Sequence, residues 1–182
     1  MQAEEFVREA RSTQPELPPL HLLQLVACQE EPLPHTEESS DQHALFRAFV
    51  LEELQKTLSS GDRALIRFCL KQEMIGSKNN LRVTEECLEF DSFRLCGFLL
   101  FVLAQVEDVP LLWEAKTTNF DTMCGFDIQF LVGAGVSPTL ASLQAIQEEW
   151  AQDAKAYIEE NQRAGDFDDL DRYRHEMQRY FA

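Results

Sequence analysis

Asp166, Asp168, Asp169 and Asp171, in the stretch GDFDDLD, are the clearest group of potential metal ligands in this 182-residue chain. Carboxylates so close together could hold a hard divalent cation such as Mg²⁺. A calcium loop of the EF-hand kind needs ligands spread over about twelve residues and a glycine at about the sixth, and the stretch has neither. The same carboxylates also stand at the start of a helical pattern, where the helix dipole favours negative charge. That second reading is preferred, so the sequence predicts no metal and no cofactor. The histidines are His21, His35, His43 and His175. None has a second histidine, a cysteine or a carboxylate at metal-ligand spacing within a helix. HEMQR at His175 is not a zinc-protease motif, because Arg179 stands where the second histidine belongs. No G-x-S-x-G nucleophile elbow occurs, and Trp113 and Trp150 sit on apolar faces that predict core positions. The sequence predicts no catalytic residue.

The five cysteines are Cys28, Cys69, Cys87, Cys96 and Cys124, an odd and scattered set with no C-x-x-C pair. That argues against a disulfide framework or a zinc site and points to buried free thiols in a reducing cytoplasm. The opening MQAEEFVREA is acidic and has no apolar signal-peptide core. The most apolar run, Leu95 to Ala104, is half the length a membrane helix needs, so it predicts a buried core helix.

Gly133-Ala134-Gly135 could open a dinucleotide loop, which reads G-x-G-x-x-G after a strand. Pro138 occupies the third glycine position, the preceding segment has helical spacing, and no lysine follows. The glycines therefore predict a turn between helices. The segment VPLLWEAKTTNFDTMCGFDIQFLVGAGVSPT, residues 109–139, resembles an ankyrin repeat. It has a Pro-Leu start, an alanine in the first helix, a polar turn, an apolar second helix and an Ala-Gly end. Val109 and Leu112 replace the threonine and histidine of that pattern. Residues 61–75 resemble the second half of another repeat. The resemblance implies stacked helical hairpins and a protein-binding surface.

The remaining elements follow from periodicity and from caps. Residues 3–12 predict a short amphipathic helix through Phe6, Val7 and Ala10, broken by Pro15, Pro18 and Pro19. Leu20 to Cys28 predicts another helix, and the polar stretch 29–41 a flexible connector. Asp41 is expected to cap a helix with Leu45, Phe49, Leu51 and Leu54 inward, ending at Gly61. Asp62 starts the next, with Leu65, Phe68 and Cys69 inward, ending at Gly76. Residues 77–90 are mixed, with Leu81 and Val83 alternating and Thr84-Glu85-Glu86 resembling a helix start. Asp91 to Val106 predicts a central apolar helix. Asp108 with Pro110 starts a helix through Leu112, Trp113 and Lys116. Asn119 caps another that buries Phe120, Cys124, Ile128 and Leu131, with Gly125 at a close helix contact. Ser137 and Pro138 open one long helix to Ala164, striped by Trp150, Ala154, Tyr157 and Ile158 and closed by Gly165. The last helix buries Leu170, Tyr173, Met177 and Phe181. The reading is an all-α fold: about seven to nine helices in stacked antiparallel hairpins, little or no sheet, one domain over 1–182.

With 16 basic and 32 acidic residues the formal net charge is −16. Residues 1–60 carry 11 acids and 4 bases, 61–106 carry 6 of each, and 107–182 carry 15 and 6. The negative charge thus lies in the two flanks. Such a field disfavours nucleic acid and anionic membrane as partners. It serves solubility on one reading and attracts a basic protein on the other. The expected function is a non-enzymatic cytoplasmic interaction module, in its sharpest form an acidic inhibitor or immunity-type protein for a basic partner. The alternative is an all-helical enzyme with a divalent metal at Asp166–Asp171. A third reading is a homo-oligomer formed through the apolar helix at 92–106.

Overall fold

The computed structural model describes residues 1–13, 17–34, 36–82 and 91–182. The expected breaker Pro15, His35, Cys87 and the part of the mixed stretch from Val83 to Phe90 lie outside the described residues. The fold is all-α: ten α-helices and one two-stranded sheet among the described residues. The chain divides into two compact units, Met1–Leu99 and Leu100–Ala182, with the boundary inside α5, Ser92–Leu103.

In the first unit, α1 (Ala3–Arg11) and α2 (Leu20–Val26) pack on α3 (Ala44–Lys56). The expected apolar face of α1 is observed: Phe6, Val7 and Ala10 are buried, and the Phe6 ring meets Phe46 edge-on at 5.7 Å. Within the polar stretch expected as a connector, β1 (Glu30–Pro32) and β2 (Ser39–Asp41) pair antiparallel, with Glu31 opposite Ser40. α3 buries Arg47, Ala48, Val50, Leu51 and Leu54, whereas Phe49 is exposed. The helix is therefore rotated from the expected face, because it must aim Arg47 at carboxylates on both sides. Asp41 does not cap α3. The N-cap is His43, and Asp41 accepts its backbone N–H from just outside the helix.

α3 stops at Lys56, and Gly61 lies in a 3-10 turn, Ser60–Asp62, that runs straight into α4 (Arg63–Lys78). α4 passes through Gly76 rather than ending there. A Cβ at Gly76 would meet nothing closer than Cys28 Sγ at 4.0 Å, so the glycine marks no break. The stop is made at Asn79 and Asn80, the latter left-handed at φ +51°.

In the second unit, α5 ends at Leu103 with Ala104 left-handed at φ +56°. A 3-10 turn, Val106–Asp108, feeds α6 (Val109–Lys116) with Pro110 in its first turn, as expected. The junction repeats that before α4: in both, an aspartate, Asp62 or Asp108, is buried where the 3-10 turn becomes a helix. Asn119 caps α7 (Phe120–Gly125), its Oδ1 accepting Thr122 N–H at 2.9 Å.

α7 is shorter than the spacing predicts. Phe126 and Asp127 are extended, and a separate 3-10 segment, Ile128–Val132, follows. The break shifts the helical phase, so Phe126, Ile128 and Leu131 are buried while Phe120 is 80% exposed and Cys124 is exposed. Gly125 makes no close contact. The glycine that does is Gly133, whose hypothetical Cβ would overlap the Phe101 carbonyl oxygen.

The long helix expected from Pro138 to Ala164 is two, α8 (Val136–Gln144) and α9 (Glu149–Ala164), packed on each other. No glycine or proline marks the reversal. Residues 145–148 turn because α8 and α9 each bury an apolar face, Leu143 on one and Ala151, Ala154 and Ile158 on the other. Gly165 closes α9 at φ +92°, as the sequence suggests. α10 (Leu170–Tyr180) buries Met177, with Leu170 and Tyr173 half-buried. Trp113 is buried, and Trp150 is only partly covered.

Candidate functional site

The four aspartates singled out by the sequence line the α9–α10 turn. Asp169 caps α10, its Oδ1 accepting Arg172 N–H at 2.9 Å, and Asp171 stands in the first turn. Asp168 is exposed beside Gly165, and the Asp166 carbonyl accepts from Gln129 Nε2 at 3.1 Å. Among the described residues, no three histidine, cysteine or acidic side chains are arranged to hold a metal ion. The described histidines are held apart. His21 meets Glu9 at 3.2 Å, while His43 donates through Nδ1 to the Ala27 carbonyl and His175 likewise to Asp171.

The strongest electrostatic feature is one the sequence did not flag. Arg47 is 1% exposed in the first unit, and each of its three nitrogens donates. Nε reaches Glu73 Oε1 at 2.6 Å, Nη2 reaches Asp41 Oδ2 at 2.6 Å, and Nη1 reaches the Val26 carbonyl at 3.2 Å. One side chain thereby ties α3 to α4, to the β2 strand and to the end of α2. Burial pushes the Asp41 carboxyl up, but the Arg47 charge and the N–H groups of Gln29 and His43 outweigh it and hold it below its ordinary value. Burial dominates at Glu73, which stays above its ordinary value despite Arg47. Burial also pushes the neighbouring thiols up, Cys28 to about 11 and Cys69 to about 12. These thiols are poor nucleophiles at neutral pH. The cluster is a fully satisfied strut rather than a reactive centre.

Two further cations brace the units. Arg11 grips buried Asp62 through Nε and Nη2 at 2.9 and 2.8 Å, a two-pronged pair joining α1 to the start of α4. Lys116 is buried in the second unit, and its Nζ donates to the Met123 and Phe126 carbonyls at 2.8 and 2.7 Å. It also sits 5.4 Å from the Tyr157 ring centroid. Burial lowers its pKa, with Asp127 offsetting part of the effect. One carbonyl lies in the last turn of α7 and the other just beyond it, so Lys116 clamps the early break that the periodicity missed.

The α9 surface is strongly acidic. Glu149, Asp153, Glu159 and Glu160 are exposed on α9, continuing into Asp166, Asp168, Asp169 and Asp171. Ion pairs with Lys155 and Arg172 engage Glu159 and Glu176. In the first unit, a groove of about 430 Å³ runs along α4, lined among the described residues by Arg63, Arg67 and Lys71 with Ala64, Phe68 and Leu17. Sequence periodicity read α4 for its buried side, so the basic line on the other side passed unnoticed. No helix among the described residues is long and apolar enough to cross a membrane. The chain matches no known family model, no curated protein and no solved structure.

Proposed function

We propose that the chain is a non-enzymatic protein-interaction module that uses its acidic face to bind a basic partner protein. The observation that carries this is the run of exposed carboxylates on α9 and through the α9–α10 turn. Residues 107–182 hold 15 acids against 6 bases, so local pairing cannot neutralise the face. Such a field accelerates encounter with a positive surface and weakens as salt rises. The described cysteines are unpaired, which supports a reducing compartment such as the cytoplasm. Helical hairpins such as α6–α7 and α8–α9, and the recurring buried-aspartate junction, support the stacked-hairpin architecture.

The test is capture of the tagged protein's partners from its host lysate at low salt, followed by elution with a salt step. One dominant basic protein should elute. A variant carrying Asp153→Lys, Glu160→Lys and Asp168→Lys should no longer retain it. Retention by that variant, or the absence of any reproducible basic partner, refutes the reading.

A further inference from the structure

The prolines that part α1 from α2 do more than break a helix. Proline fixes its own φ and holds the residue before it in extended backbone, so Leu17, Pro18 and Pro19 are confined to the polyproline II region. Pro19 shows that geometry directly, at φ −54° and ψ 151°. A polyproline II helix has three residues per turn and rises about 3.1 Å per residue, which places Leu17 and Leu20 on one edge about 9 Å apart. Both leucines are exposed, by 49% and 71%. The rest of the turn is tied to the first unit. Pro18 is buried and lines a small cavity with Val7, Ala10 and Leu54. The Pro19 carbonyl accepts the Leu22 and Leu23 N–H groups at 2.9 and 3.1 Å where α2 begins. A rigid turn therefore presents two leucines to solvent, with Pro19 half-buried between them.

We propose that Leu17 to Leu20 is a preformed polyproline II ligand for an aromatic-lined groove on a partner protein. Leu17 and Leu20 enter neighbouring pockets between the aromatic rings, and Pro19 lies on the ridge between those pockets. The backbone selects the occupant. Pro18 and Pro19 have no N–H, so the segment cannot extend a partner's sheet through a regular ladder. Its period of three does not match a groove that reads side chains at helical spacing. Aromatic grooves accept this conformation because they contact the side-chain edges of the turn and need no backbone N–H from it. A phosphate backbone finds no cation here, since residues 17–20 carry no charge. The fold has already ordered the turn, so docking loses little further chain entropy. The inference goes beyond the acidic-face reading, because it concerns the other unit and apolar contacts rather than charge.

The test is binding of the full-length protein to an array of immobilised SH3, WW and EVH1 domains, with domains that read helices in grooves as controls. At least one polyproline-reading domain should bind saturably, and the controls should not. Leu17→Ser and Leu20→Ser change exposed side chains and should each weaken binding about tenfold, whereas Leu20→Met should keep it within about twofold. Pro19→Ala frees the backbone and should weaken binding roughly threefold. A peptide of residues 13–22 should compete, and a scrambled peptide should not. The same serine substitutions made in the peptide should abolish competition, which reads the contact where no fold can be lost. Binding should persist as salt rises and in the Asp153→Lys, Glu160→Lys, Asp168→Lys variant, so its failure is separate from failure of the acidic-face reading. The proposal is overturned if no polyproline-reading domain binds, if the double serine variant binds as well as the native protein, or if the scrambled peptide competes equally. Equal or tighter binding to the helix-groove controls overturns it in favour of a helical mode.

Discussion

Replacing Arg47 with methionine tests how the first unit is held. Methionine approximates the aliphatic stem, so the change removes the guanidinium with little lost volume. It leaves Asp41 and Glu73 without their shared cation and the Val26 carbonyl without its donor. Removing one partner of a buried pair costs about 3–5 kcal/mol, because the remaining charge has already lost its water. A loss of about 4 kcal/mol is roughly a thousandfold in the folded-to-unfolded ratio and a large share of a typical domain's stability. Urea unfolding followed by circular dichroism should show it at about pH 7.5. The deficit should shrink at about pH 5, and the sign is fixed by the carboxyls. In the native protein the depressed Asp41 contributes stability above its unfolded pKa that is lost as pH falls through its folded value. Glu73 is already raised, and without Arg47 both carboxyls move further up. The variant then takes up protons on folding and regains stability as pH falls through those raised values. Adding Glu73→Leu to Arg47→Met should recover part of the loss at about pH 7.5, since one stranded charge is gone. A deficit below about 1 kcal/mol, or one equal at the two pH values, refutes the reasoning by showing that water reaches the carboxylates.

Gly133→Ala should destabilise the second unit by about 1–3 kcal/mol in the same assay, since its methyl would overlap the Phe101 backbone, while Gly125→Ala should be neutral or slightly stabilising. Ala104→Gly should raise the melting temperature, with a gain of roughly 0.5–1 kcal/mol from relieving a left-handed alanine at the end of α5. In thiol labelling near neutral pH, Cys124 should react rapidly and Cys28, Cys69 and Cys96 only on unfolding. The rapid phase lost in Cys124→Ser, relative to the native protein, checks this directly.

Composition and periodicity carried the class of fold, because an amphipathic helix writes its buried face into local spacing. Phe6, Val7 and Ala10 on α1, the Asn119 cap, Pro110 at the start of α6 and Gly165 at the end of α9 all depend on residues within a turn or two of one another. The acidity of the flanks was legible for the same reason, since charge adds without regard to folding. Arg47 was invisible because its partners come from three different elements, and a lone arginine in an apolar helix gives no local sign of burial. The early end of α7 was hidden because Lys116 reaches back across the hairpin to the carbonyls that stop it. Gly125 and Gly133 look alike in sequence, and only the approach of Phe101 separates them. Local sequence therefore determined which segments are helical. Long-range packing decided where they stop, which faces turn inward and which charges stay at the surface, because those outcomes depend on groups that meet only in the folded chain.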